Sequence, residues 1–164
     1  MSKNDSQKTT DQTNSKDQVF LGGSCDPTTW RQDIAMPMFD NAGVAYYNPQ
    51  VADWHSGLMA LEAAAKEESN ILLFVIDGQT RAIASILESV EYTMAGRKVV
   101  LVINQVPDGT VIAGQVVTGR ELKDLNRARE YLGELADRHD NVTVYEDVAS
   151  AVQAILDDRQ KLAA

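Results

Sequence analysis

Three acidic residues stand next to apolar neighbours in the first part of the chain. Asp77 directly follows the apolar run ILLFVI at residues 71–76, Glu88 lies inside an apolar helical repeat, and Glu62 lies in an alanine-rich stretch. A carboxylate in such surroundings is either paired or functional, although each one alone is more often a surface charge or a helix cap. Carboxyl groups placed in this way serve as nucleophiles or as proton donors. All three are therefore candidate catalytic residues.

A glycine-rich segment, GGSCDPTTW at residues 22–30, is the second feature that could carry chemistry. Its glycines would let the backbone approach a ligand closely, and Asp26 before a proline predicts a helix start whose free N–H groups point at that ligand. The alternative is a tight turn without a ligand. The segment is neither a GxGxxG fingerprint nor a Walker loop, so dinucleotide and P-loop sites lose their main support. The candidate binding residues here are Gly22, Gly23, Ser24, Asp26 and Trp30.

The elements that must position these residues alternate regularly after residue 17. Short apolar runs rich in β-branched and aromatic residues predict strands at 18–22, 44–47, 71–76, 99–103 and 142–145. Helical spacing predicts helices at 27–42, 58–68, 79–95, 121–136 and 148–162. The alternation predicts a single α/β domain with a flavodoxin-like (Rossmann-like) fold. Its five-stranded parallel sheet would have the order 2-1-3-4-5 and helices on both faces.

The predicted sheet also indicates where a ligand would bind. In such sheets ligands lie beyond the carboxyl ends of the strands, here between strands one and three. Asp77 and the segment 22–30 follow those two strands. The loop 104–119 is long for this fold, and a lid, an extra hairpin and an oligomer contact all remain open for it.

Composition and charge disfavour several classes of protein. The chain has 15 Lys and Arg against 24 Asp and Glu, a formal net charge of −9, which disfavours binding to a nucleic acid polymer. No apolar run approaches the roughly 18 residues of a membrane helix, and the polar leader lacks the apolar core of a signal peptide. One cysteine and two histidines are too few for a disulfide framework or a zinc cluster. We expect a cytoplasmic domain at 18–164 without metal or cofactor, after a disordered polar tail at 1–17.

Longer stretches of the sequence resemble a known family. The segments VFLGGS, NILLFVID and LESVEYTMAGRKVVLVI, with Glu62 eight residues before NILLFVID, are similar to the nucleoside 2-deoxyribosyltransferase superfamily. The segments GGSCDPTTWR, YYNPQVADW and FVIDGQTRAIASILE resemble its nucleoside 2-deoxyribosyltransferase-like branch. The resemblance covers residues 18–103.

The resemblance implies roles for individual residues. In the superfamily a glutamate eight residues before a Gly-Lys or Gly-Arg pair is the nucleophile, and Glu88 has that place before the pair at 96–97. A carboxylate eight residues before the third strand binds the departing base, and Glu62 has that place. Phe20 stands where a tyrosine usually steadies the nucleophile. Ala82 stands where transferases usually have an aspartate six residues before the nucleophile.

Other polar and aromatic side chains are candidates for substrate binding. Arg81 is expected to pair with Glu88 or to hold a substrate phosphate, while Asp77 would reach in from the strand end. Asn48 and Gln50 have amide donors and acceptors suited to a base or a sugar.

Two aromatic residues and one thiol are weaker candidates for the functional site. Trp54 and Trp30 could stack on a base, although core or interface packing is the commoner use of tryptophan. Cys25 has no obvious histidine base, so a cysteine-nucleophile enzyme is a weak alternative.

The implied chemistry is cleavage of an N-glycosidic bond in a (deoxy)nucleoside. One carboxylate captures the anomeric carbon, and a second carboxyl group protonates the leaving base. Release to another base gives transfer, and release to water gives hydrolysis. The alternatives are a nucleoside-binding sensor or interaction domain that has lost turnover, suggested by Ala82 and Phe20, and a flavodoxin-like FMN binder that shares only the architecture.

The distribution of charge bears on the substrate. Residues 18–91 contain ten Asp and Glu but only three Lys and Arg, so a heavily phosphorylated substrate would meet a repulsive field. We therefore expect a neutral nucleoside, with a nucleoside monophosphate possible through Arg81, Arg31 or the glycine turn. The resemblance also implies a homo-oligomer, because superfamily pockets are completed across subunits.

Overall fold

The apolar run Ile71–Ile76 forms the central strand of a parallel sheet, and all six of its residues are buried. Successive side chains of a strand point to opposite faces, so a strand that is apolar throughout must be covered on both. The structure is a computed structural model that describes residues 18–164. The tail predicted to be disordered, residues 1–17, lies outside the described residues.

The strand order agrees with the sequence prediction. The strands are β1 (Val19–Gly23), β2 (Tyr46–Tyr47), β3 (Ile71–Ile76), β4 (Val99–Ile103), β5 (Thr110–Ile112), β6 (Gln115–Val117) and β7 (Val142–Tyr145). The main sheet has the order β2-β1-β3-β4-β7, and every neighbouring pair in it is parallel. Among the five sheet strands this is the order 2-1-3-4-5, which confirms the flavodoxin-like domain.

Five α-helices connect or follow the strands. They are α1 (Met36–Ala42), α2 (Leu58–Glu68), α3 (Ile83–Met94), α4 (Gly119–Asp137) and α5 (Val148–Ala163). A π-helical turn, Arg31–Ala35, leads directly into α1. None of the helices within the described residues is long and apolar enough to cross a membrane.

The helix predicted over 27–42 begins only at residue 31, so the predicted helix start at Asp26 is wrong. The backbone N–H of Thr28 donates to the carbonyl oxygen of Cys25 (2.9 Å). Its hydroxyl hydrogen-bonds the carbonyl oxygens of Cys25 (2.7 Å) and Ser24 (3.0 Å). These bonds close a separate turn, and the free N–H groups of a helix end are therefore not located at Asp26.

The sheet separates two apolar cores. On one face, alternate residues of β1, β3 and β4 pack against α1 and α5. On the other face, the intervening residues pack against α2, α3 and α4. The predicted arrangement of helices on both faces follows from this alternation, and it fixes α2 and α3 on the same side of the sheet.

The long loop 104–119 contains an antiparallel hairpin, β5–β6. Ile112 and Val117 are buried in a small third core that packs against α4. Val111 and Val116 lie outside this small core and are 60 % and 62 % exposed. Of the three alternatives left open by the sequence, the extra hairpin is the one observed.

Candidate active-site cleft

A cleft of about 440 Å³ lies at the carboxyl end of β1. Its walls come from the turn after β1, the segment after β2, one face of α2 and one face of α3. Of the residues predicted for the site, those that line it are Phe20, Gly22, Gly23, Asp26, Gln50, Glu62 and Glu88. The sheet therefore brings together residues that are far apart in the sequence, at the edge where a ligand was expected.

Glu88 enters the cleft from α3 and forms an ion pair with Lys66 of α2. The Lys66 ammonium donates to Oε1 of Glu88. The side chain of Glu88 is 30 % exposed, whereas that of Lys66 is only 6 % exposed. The ammonium lies 5.3 Å from the ring centroid of Phe20 and 5.5 Å from that of Tyr92. Glu88 thus has a buried cationic partner and an exposed side that faces the cleft.

Glu62 lines the same cleft from α2, and it is half-buried. Lys66 follows it by four residues, so the two side chains lie on the same face of the helix, one turn apart. Two carboxyl groups of different surroundings therefore face one cavity, because Glu88 is ion-paired and Glu62 forms no direct ion pair within residues 18–164. This is the arrangement that a nucleophile and a separate proton donor require.

The two glycines at the end of β1 are required by the packing of the sheet. A Cβ atom on Gly22 would lie 2.5 Å from the Phe74 ring. Gly23 has φ +109°, and a Cβ atom there would lie 2.2 Å from the carbonyl oxygen of Val75 on β3. Both glycines line the cleft as well. Their first function is to let β1 lie tightly against β3, which shapes the floor of the cavity.

Arg31 holds the end of β1 in place through hydrogen bonds to backbone carbonyl oxygens. Its Nε donates to the Leu21 carbonyl oxygen (3.0 Å), Nη1 to that of Ser24 (2.8 Å) and Nη2 to that of Gly23 (3.2 Å). The guanidinium also lies 4.3 Å from the Trp30 ring centroid. Burial lowers the pKa of the Arg31 guanidinium below its usual value. These carbonyl bonds use three of the five N–H donors of Arg31, and Nη1 also lies 3.8 Å from Cys25 Sγ. Arg31 also lines the cleft.

Asp77 and Ser24 belong to a network beside the cleft. The Asp77 carboxylate accepts from the backbone N–H of Gln79 (2.6 Å), and the Asp77 N–H donates to Ser24 Oγ (3.0 Å). Ser24 Oγ also shares a hydrogen bond with Thr80 Oγ1 (2.7 Å). Buried Arg129 donates to the carbonyl oxygens of Asp77 and Thr80, both at 2.8 Å, and burial lowers the pKa of this guanidinium. Asp77 and Ser24 thus shape the edge of the sheet and do not line the cleft.

Comparison with known proteins identifies the family. A model of the family described as "nucleoside 2-deoxyribosyltransferase like" matches residues 16–106, more than half of the chain. The chain belongs to this family. The matched region includes β1 to β4 and therefore both helices that carry the cleft glutamates.

Structural comparison supports the fold of this nucleoside 2-deoxyribosyltransferase-like protein. The crystal structure of a conserved protein from Enterococcus faecalis V583 superimposes with a TM-score of 0.51 at 16 % sequence identity. The match covers 90 % of this chain and 99 % of the other. At this identity the likeness shows a shared fold. A search of curated proteins found no match.

The structure shows the actual surroundings of Phe20, Ala82 and Arg81. Phe20 is buried in the floor of the cleft and stacks on Tyr47 at 5.7 Å between ring centroids. Ala82 precedes α3 with φ 55° and supplies no carboxylate. Arg81 does not pair with Glu88, because its Nε donates to Glu121 Oε1 (2.8 Å) on α4. The expected partner of Glu88 must be corrected from Arg81 to a lysine of α2.

Of the aromatic and amide residues predicted for the site, some line the cleft and others lie outside it. Trp30 is buried beneath β1, and its Nε1 donates to a backbone carbonyl oxygen, so it is placed outside the cleft. Trp54 lines the cleft and is 60 % exposed. Gln50 also lines it, with Nε2 within 3.4 Å of Asp26 Oδ1. Asn48 does not line the cleft, and its Oδ1 accepts a hydrogen bond from the backbone N–H of Gln50 (3.0 Å).

The sequence did not predict the contact of Lys66 with Glu88, and it indicated Arg31 only as a possible phosphate ligand. Lys66 could have been noticed as the only basic residue between Arg31 and Arg81, located four residues after Glu62. No sequence signal indicated that Arg31 would bind carbonyl oxygens. Within residues 18–164, no group of three or more His, Cys, Asp and Glu side chains is arranged to hold a metal ion.

Proposed function

We propose that this protein cleaves the N-glycosidic bond of a (deoxy)nucleoside and transfers the sugar to another base or to water. The observation that carries the proposal is the presence of Glu88 and Glu62 in one cleft of a nucleoside 2-deoxyribosyltransferase-like fold. Within residues 18–164, Glu88 forms a direct ion pair with Lys66, whereas Glu62 has no direct ion pair. That difference supports Glu88 as the nucleophile and Glu62 as the proton donor.

The first half of the reaction forms a glycosyl-enzyme. A carboxylate oxygen of Glu88 bonds to the anomeric carbon of the sugar while the bond from that carbon to the base nitrogen breaks. The bonding electron pair leaves with the base, and protonated Glu62 donates a proton to it.

In the second half, a nitrogen of a new base or a water oxygen bonds to the same carbon, and Glu88 is released. Ionised Glu62 accepts the proton of the incoming group. Atoms and protons balance without a metal or cofactor.

The cleft suits a neutral substrate better than a phosphorylated one. Arg31 binds backbone carbonyl oxygens, Lys66 pairs with Glu88, and Arg81 is engaged by Glu121 on α4. Among the described residues, these three are the basic side chains between positions 18 and 91. We therefore assign a nucleoside as substrate, ahead of a nucleoside monophosphate.

The active form is proposed to be a homo-oligomer. Large apolar side chains remain exposed on the two helices that carry the cleft glutamates. They are Met59 (61 %) and Leu61 (60 %) on α2, and Ile83 (61 %), Leu87 (67 %) and Met94 (61 %) on α3. Ile83 and Leu87 are one helical turn apart and form one face. A second copy would cover this face.

A nucleoside-binding domain without turnover is the second candidate, and Ala82 favours it. Transferases of the superfamily usually have an aspartate at that position, and the described structure brings no other carboxylate into its place, because Asp77 binds the backbone of Gln79.

Chromatographic assay of base exchange and hydrolysis distinguishes the two candidates. Deoxynucleosides are incubated with a second free base, and the products of the wild-type protein, Glu88→Gln and Glu62→Gln are separated. We expect turnover by the wild type and a loss of about 10³-fold or more in Glu88→Gln, since covalent catalysis is abolished. Glu62→Gln should lose about 10²-fold. Glu91→Gln, an exposed site on α3, is the matched control.

Two other results would contradict the proposal, one the activity and the other the role of Glu88. Nucleoside-dependent thermal stabilisation without any product supports the binding domain. Equal turnover by the wild type and Glu88→Gln would exclude Glu88 as the nucleophile.

A further inference from the structure

We propose that Lys66 is the positioning residue of the nucleophile. In this assignment its ammonium holds Glu88 through Oε1, so that Oε2 is the oxygen that bonds to the anomeric carbon. The inference rests on the proposed function. It names the group that orients the Glu88 carboxylate for attack on the sugar. The chain has Phe20 where the family resemblance implies a tyrosine.

The ion pair is built deep in the structure. Lys66 is 5 % exposed, and its ammonium lies between the rings of Phe20 and Tyr92. Burial of a charged ammonium costs several kcal/mol unless a partner compensates it. The aromatic faces supply part of this compensation, and the Glu88 carboxylate supplies a full negative charge. The ammonium thus holds the Glu88 carboxylate against an otherwise largely apolar wall, which restricts the orientations open to that carboxylate.

Phe20 on β1 contributes the face of its ring to the ion pair. That ring lies 5.3 Å from the Lys66 ammonium, which donates to Glu88. The ring is therefore a platform for the cation, and the hydrogen bond to the carboxylate comes from α2.

The backbone around Lys66 is held as firmly as its side chain. Arg97 Nη2 donates to the carbonyl oxygens of Lys66 (2.7 Å) and Ser69 (2.6 Å), which fixes the last turn of α2. Glu62 lies one turn earlier on the same helix, so α2 presents the proton donor and the positioning ammonium from one rigid element. A positioning residue must be constrained in this way, because an error of about 1 Å at the reacting atoms costs about 10²-fold in rate.

The inference is tested with Lys66→Met, which keeps the apolar length of the side chain, and with Lys66→Arg, which keeps the charge. Lys98→Met is the matched control, since Lys98 forms an exposed ion pair with Asp158. For each variant we measure kcat and KM for base exchange or hydrolysis, the thermal midpoint, and the glycosyl adduct by intact mass after acid quench.

We expect Lys66→Met to lose about 10²-fold in kcat with KM changed by less than about threefold, and to accumulate less adduct. Lys66→Arg should regain at least about tenfold of that loss. Lys98→Met should behave as the wild type. A split between kcat and KM together with recovery by arginine is not expected of a residue that only stabilises the fold.

Other outcomes overturn the inference. Turnover by Lys66→Met at the wild-type kcat would mean that the ion pair does not position Glu88. Equal losses in Lys66→Met and Lys66→Arg, with a lowered thermal midpoint in both, would show a structural function only. Absence of turnover in the wild type would refute the proposed function itself, and this result is distinct from a wild type that is active with an equally active Lys66→Met.

Discussion

At the scale of single residues, the cleft combines an ionic end with an aromatic opening. Glu88 and Lys66 form the inner end, and Trp54 lines the outer part while remaining 60 % exposed. Exposed indole surface next to a polar cavity offers a planar face on which a base can stack. Asp26 and Gln50 lie on the same wall and provide hydrogen-bonding groups for the edge of such a base.

Replacement of Trp54 should therefore weaken substrate binding without changing the chemical step. Base–aromatic stacking contributes about 1–3 kcal/mol, so Trp54→Ala should raise KM for the nucleoside by about tenfold and leave kcat within about threefold. Steady-state kinetics over a range of nucleoside concentrations measure both. Tyr131→Ala removes an aromatic residue that is 69 % exposed on α4 and is the control. An unchanged KM in Trp54→Ala would place the base elsewhere.

The sequence predicted the two cleft glutamates but not their partner. Glu62 and Glu88 could be recognised because each stands at a fixed distance from a motif within the chain. Lys66 and Glu88 are 22 residues apart on different helices, and their pairing depends on how α2 and α3 pack on the sheet. Arg81 was paired with the wrong acid for the same reason, since Glu121 is 40 residues away on a helix that reaches it only in the fold.

At the scale of elements, strands could be predicted more closely than helix starts. The runs at 71–76 and 99–103 have the observed bounds, because continuous apolar sequence is needed wherever a strand is buried on both faces. The run at 142–145 also has the observed bounds, although it forms an edge strand that is only partly buried. The predicted helix at 79–95 begins at residue 83 instead, after Ala82 adopts a left-handed conformation. Hydrogen bonds from buried Arg129 to the backbone hold the preceding turn, and this long-range contact has no local sequence signal.

The end of β1 provides a prediction about stability. Gly23→Ala places a Cβ atom 2.2 Å from a β3 carbonyl oxygen at φ +109°, so we expect a loss of about 3 kcal/mol in the free energy of unfolding. Gly133→Ala in α4 meets no atom within 4 Å and should gain up to about 1 kcal/mol from helix propensity. Urea unfolding of both variants provides the measurement. Equal stabilities would mean that β1 and β3 can separate locally without cost.

At the scale of the whole molecule, the order of strands followed from the alternation of strands and helices. Right-handed parallel connections leave few topologies for such a chain, and the observed order β2-β1-β3-β4-β7 is the common one. The sequence left the hairpin β5–β6 as one of three alternatives for the loop 104–119, and the structure builds its small core against the first turns of the helix that follows it, α4.

The exposed face of α3 should be covered in solution by a second copy of the chain. Leu87 is 67 % exposed beside Glu88, and its replacement by glutamate would place a charge in the centre of that contact. We expect the wild type to elute as a dimer or larger species in size-exclusion chromatography with light scattering, and Leu87→Glu to shift towards the 18.0 kDa monomer and lose turnover. Leu162→Glu changes a residue that is 86 % exposed near the end of α5 and should leave assembly and turnover unchanged. A monomeric wild type with full turnover would contradict the oligomer, because the cleft would then be complete within one chain.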